Sequence, residues 1–117
     1  MKKFLALFFI VFSISTFAQR PLSDSAQISV LTLGPYQGEL YSAFGHSAIR
    51  VYDPASKTDL AFNYGVFDFN QPNFYLNFTR GHLLYKLGVY PYDLFRDHYI
   101  SHNRYVHEQV LNLTQAQ

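Results

Sequence analysis

GELYSAFGHSAIRVYD, residues 38–53, decides how the rest of the chain is read. Within residues 37–44 the spacing is helical: Leu40, Ala43 and Phe44 stand at i, i+3 and i+4 and make one apolar face of about two turns. Gly45 follows where a helix C-terminus favours glycine. Residues 46–52, HSAIRVY, then alternate with the period of a strand. His46, Ala48, Arg50 and Tyr52 share one face; Ser47, Ile49 and Val51 share the other. The apolar set is expected to look into the core, which turns His46 and Arg50 toward a cleft or solvent. A histidine at the mouth of a strand, just after a glycine, is held rigidly and still reaches a cleft.

Outward from this stretch, residues 27–33 (QISVLTL) are β-branched and apolar and predict a strand, buried on both faces in its second half and stopped by Gly34-Pro35. Residues 53–57 predict a five-residue turn, and residues 58–64 (TDLAFNY) the paired strand of a hairpin. Residues 65–70 read as a short strand, 72–79 as a short helix, and 82–90 (HLLYKLGVY) as a strand weakened at Gly88. Residues 92–102 predict the strongest helix. Pro91 sits at its start, and Leu94, Phe95, His98, Tyr99 and His102 follow helical spacing. Residues 105–113 (YVHEQVLNL) predict the last strand. Thr114 and Gln117 then have the spacing of a capping box, a helix start that the chain does not continue, so truncation is expected there. The sum is an α+β domain: an antiparallel sheet with short helices, incomplete at the C-terminus.

Met-Lys-Lys followed by the apolar run 4–12 predicts a secretory signal peptide over residues 1–18, with cleavage after Ala18. Residues 19–26 read as a flexible lead-in, and 27–117 as the domain. Cleavage leaves roughly 99 residues, enough for one domain. It also removes Lys2 and Lys3 and turns the formal charge slightly negative, so no basic patch invites nucleic acid. The chain has no cysteine, so the core must hold without disulfides. Its 12 Phe and 10 Tyr supply large contacts instead.

A catalytic imidazole needs a partner that fixes its second nitrogen. For His46 the candidates are Asn63, on the neighbouring strand, and Asp68. His98 and His102 lie four apart on the predicted helix, a metal-ligand spacing, with Asp97 and His107 near in sequence. A zinc site needs three or four convergent ligands, and the commoner reading is a half-exposed helix flank. Ser42 and Ser47 are nucleophiles by residue type only, since neither lies in a Gly-x-Ser-x-Gly elbow. No spacing asks for a cofactor.

GELYSAFGHSAIRVYDP, then FNYGVFDFNQPNFYLNFTRG, then EQVLNLT resemble, in order, the Lnb N-terminal periplasmic domain family. The resemblance runs from about Ile28 to the last residue and implies a fold similar to permuted papain-like domains. There a histidine opens a strand and a cysteine sits on a later helix; His46 is the matching histidine. The family's cysteine falls beyond the Leu-Asn-Leu-Thr stretch, and these 117 residues do not contain it. The resemblance implies a Cys–His acyltransferase taking an acyl chain from a phospholipid to a bacterial lipoprotein. It would work in the periplasm, at the outer face of the inner membrane. A non-catalytic binding or scaffold domain of the same fold is the alternative.

Overall fold

The computed structural model describes residues 21–117; the signal-peptide reading of residues 1–18 lies outside them. Five strands form one antiparallel sheet: β1 (Gln27–Leu33), β2 (His46–Asp53), β3 (Thr58–Val66), β4 (Lys86–Pro91) and β5 (Val106–Val110). Two helices accompany it, α1 (Phe74–Thr79) and α2 (Tyr92–Ser101), so the α+β class stands. The spatial order is β4-β3-β2-β1-β5. The first hairpin closes tightly, with Asp53 opposite Thr58 and Lys57 at φ 57°, so the turn has four residues rather than five.

The register decides the core. Leu31 lies opposite Ala48 and Leu33 opposite His46 on β2. Ala61 on β3 lies opposite Arg50. Leu31, Leu33, Ala48 and Ala61 are buried against Tyr92, Phe95 and Tyr99, the inward stripe of α2. Phe95 stacks on Tyr90 at 6.0 Å between ring centres and meets Tyr99 at a tilt, 5.0 Å away. The small Ala48 and Ala61 let this aromatic stripe approach the sheet, and the area removed from water drives the docking.

The buried face of β2 is therefore the reverse of the one predicted. Ala48 is 4% exposed while Ile49 is 40% exposed. His46 and Arg50 share the face of Ala48, so they look toward α2 and not away from the core. Arg50 is tolerated there because its charge is matched. Nε and Nη2 donate to Asp59 at 2.8 Å, and Nη1 donates to Glu108 at 3.0 Å. Its guanidinium carbon lies 3.6 Å from the Tyr92 ring centre, a cation–π contact under the helix. The Asp59 hydrogen bonds, with the Glu108 charge, hold its proton still more tightly than usual.

Other differences have local causes. Thr32 is exposed, so β1 is buried on one face only. Residues 37–44 form only a 3-10 turn, Leu40–Ser42, and Phe44 is 96% exposed. Buried Ser42 turns that segment inward instead, its hydroxyl donating to the Tyr36 and Glu39 carbonyls. β3 runs on to Val66, residues 67–70 are not a strand, and β4 begins only at Lys86. Of the stripe predicted for α2, Leu94 and His98 are exposed, and Tyr92 is buried with Phe95 and Tyr99. Residues 21–26, read as flexible, are tied down at Ser23: its N–H and hydroxyl donate to the buried Asp53 carboxylate at 2.9 and 2.6 Å. Thr114 N–H donates to Gln117 Oε1 at 2.9 Å, the contact that capping-box spacing predicts.

Candidate functional site

His46 is fixed by two glycines. Gly45 has φ +84°, and a Cβ there would lie 2.6 Å from the Leu33 carbonyl oxygen. Only glycine lets the chain turn into β2 so close to β1. Gly65 has φ +143° and sits in a bulge of β3 between Tyr64 and Val66. A Cβ on Gly65 would lie 2.8 Å from His46 Cε1, so the bulge leaves space for the imidazole.

Asn63 comes from β3, on the face shared with Ala61. Its Oδ1 contacts His46 Nε2. An amide oxygen only accepts, so Nε2 carries the hydrogen and donates it. In the neutral ring Nδ1 then holds the bare lone pair. The arrangement can serve as an oriented base: one nitrogen is held by Asn63 and the other carries the lone pair.

The imidazole lies on the wall of two adjoining cavities. One, of about 330 Å³, is lined by Glu39, Tyr41, Ser42, His46, Asn63, Phe67, Phe69, His98, Tyr99 and Arg104 among others. The second, of about 290 Å³, is lined by Tyr41, His46, Tyr64, Gly65, Phe67, Phe78 and Tyr85. Tyr41, Phe67, Phe69 and Phe74 meet edge to face or stacked at 5.1 to 6.3 Å between centres, giving a rigid apolar rim. Burial, followed by the hydrogen bond and charge of Glu39, pushes the Tyr41 hydroxyl up to about 12. At neutral pH Tyr41 is thus a proton donor and not a competing base.

Asp68 does not join His46. Its carboxylate accepts from its own turn, at Asn70 N, 2.9 Å away. Ser42 lines the cavity with its hydroxyl committed to backbone carbonyls, and exposed Ser47 points to the opposite face of β2. His98 and His102 approach to 4.6 Å between ring centres, and His102 Nδ1 donates to the His98 carbonyl. Among the described residues no group of three His, Cys, Asp or Glu side chains converges. His107 stacks on Tyr105 instead of folding back to the helix. Among the lining residues outside the sequence reading of the site are Tyr41, Gly65 and Arg104. Gly65 alone carried a signal, as a glycine inside a strand pattern, which marks a bulge or a close approach.

Among the described residues no helix is long and apolar enough to cross a membrane. No curated protein and no solved structure matches the chain. The family model described as the Lnb N-terminal periplasmic domain matches residues 17–117.

Proposed function

The chain belongs to the Lnb N-terminal periplasmic domain family, and from that premise we propose that it carries the base half of a periplasmic Cys–His acyltransferase site. The observation that carries this reading is the His46–Asn63 pair on the wall of an aromatic cavity, with Nδ1 bare. These 117 residues contain no cysteine, so the thiol comes from outside them.

The chemistry then balances as follows. His46 Nδ1 takes the thiol proton, and the thiolate attacks an ester carbonyl of a phospholipid. The carbon–oxygen bond breaks, the lysophospholipid oxygen leaves with the proton from His46, and a thioester remains. A lipoprotein's terminal amine attacks the thioester, giving its proton to His46. The amide forms, and the thiol is regenerated as that proton returns to sulfur. Asn63 keeps the ring oriented and shares the positive charge that each transfer creates. Apolar walls from Phe67, Phe78 and Tyr85 suit an acyl chain, and exposed Tyr64, Phe69 and Tyr75 suit the outer face of the inner membrane. The absence of cysteine favours a second reading for these 117 residues alone, a scaffold or binding domain without chemistry.

The test uses a version of the protein that includes the nucleophile. Acyl transfer from a labelled phospholipid to a lipopeptide amine should fall by about 10²-fold or more in His46→Ala, the scale of a lost general base. Activity within a few-fold of the parent, with the fold intact, would defeat the assignment and leave the scaffold reading.

A further inference from the structure

We propose that Arg104 is the anion-holding residue of the His46 cavity, and that its free guanidinium edge takes a phosphate group of the ligand. Arg104 follows α2 and lines the same cavity as His46 and Asn63. Its position is fixed from three sides. The backbone N–H donates to the Tyr99 carbonyl at 3.0 Å, Nε donates to the Gly34 carbonyl at 2.6 Å, and the guanidinium carbon lies 4.5 Å from the Tyr99 ring centre. Gly34 is itself anchored, its N–H donating to the Tyr105 carbonyl at 2.8 Å.

Among the described residues this leaves Nη1 and Nη2 without a counter-ion. Arg50 and Arg96 each pair with a carboxylate, but among the described residues none lies within 4.0 Å of Arg104. Glu39 lines the same cavity and also lies more than 4.0 Å from the Arg104 guanidinium. A half-buried cation on the wall of a cavity, held but without a carboxylate among the described residues, is arranged for an incoming anion. The planar fork offers two parallel N–H donors, matched to two oxygens of a phosphate. On the acyl-transfer reading, on which only this identity rests, that phosphate is the headgroup of the acyl donor. The binding itself needs no nucleophile.

The 117-residue chain is titrated at low salt with sn-glycero-3-phosphoethanolamine, inorganic phosphate and acetate, and binding is read by calorimetry and amide shifts. The diester should bind at least as tightly as inorganic phosphate, and acetate more weakly. Arg104→Gln should weaken the diester by about tenfold or more. Arg104→Lys, which keeps charge and loses the fork, should weaken it less, and Arg96→Gln, at a half-exposed arginine on α2 paired with Asp97, should leave it within twofold. Tighter binding of inorganic phosphate would overturn the headgroup assignment, and acetate equal to the diester would overturn the phosphate assignment. Equal loss in Arg96→Gln would reduce the effect to bulk charge and overturn the site. If Arg104→Gln fails to fold, unchanged binding in Arg104→Lys overturns the fork. None of these outcomes depends on acyl transfer, so they stand or fall apart from it.

Discussion

Gly65→Ala places a single methyl group against the proposed base. Two costs add. At φ +143° an L residue is strained, by about 1–3 kcal/mol. The new Cβ would also stand 2.8 Å from His46 Cε1, roughly 0.7 Å short of an ordinary carbon contact. The ring gives way more easily than the bulge, which is held by the pairing of Tyr64 and Val66 with β4. Displacing it breaks the Asn63 contact, a further cost of about 1 kcal/mol. The sum is about 2–4 kcal/mol, or a fall in Tm on the order of 10–20 °C for a domain of this size. Gly81→Ala is the control: φ there is +70°, but nothing lies within 4 Å of its Cβ. It therefore carries the backbone cost alone. Thermal denaturation followed by circular dichroism compares the two, and the His46 ring protons report the displacement by NMR. A Gly65→Ala protein that melts like Gly81→Ala, with His46 signals unmoved, would refute the close approach.

Other substitutions test the rest of the fold. Arg50→Met leaves Asp59 and Glu108 facing each other across β1 and β2 without their cation, at a cost of about 2–3 kcal/mol in chemical denaturation; adding Glu108→Gln should recover part of it. The core face of β2 separates Ala48→Ile, expected to cost about 1–3 kcal/mol by overpacking, from Ile49→Thr, expected to cost under about 1 kcal/mol. Equal costs would restore the opposite face. Ser23 holds the Asp53 carboxylate below its ordinary range. A lowered folded value means the contribution is complete above the unfolded value of about 3.9 and is lost as pH falls below it toward the folded one. Melting between pH 6 and 2.5 should show that acid loss in the parent and a flatter curve in Asp53→Asn.

Element boundaries were legible where local chemistry sets them. β1 matches its predicted span, β2 begins at His46, and α2 begins after Pro91, because strand alternation, a glycine and a helix-starting proline act over a few residues. The face of β2 was not legible. Alternation gives two rows of side chains but not which row meets the helix, and the apolar row is the exposed one. What reverses the expectation is distant in sequence: Asp59 and Glu108 neutralise Arg50, and Tyr92 covers it. The segment 37–44 had helical spacing, yet Ser42 satisfies local carbonyls and Phe44 projects outward, so spacing lost to turn chemistry. The contact of His46 with Asn63 followed from strand adjacency. Arg104 reached the cavity only through the return of the chain after α2, which no local pattern encodes.

Which nitrogen of His46 is bare decides whether the ring can serve as the proposed base. Long-range nitrogen–proton correlation of the imidazole, taken about two pH units above the ordinary histidine value, reads the neutral tautomer directly. The expected result is hydrogen on Nε2 and a bare Nδ1, with the Nε2 proton shifted by its bond to Asn63 and that shift lost in Asn63→Ala. A ring protonated on Nδ1, unaffected by Asn63→Ala, would contradict it.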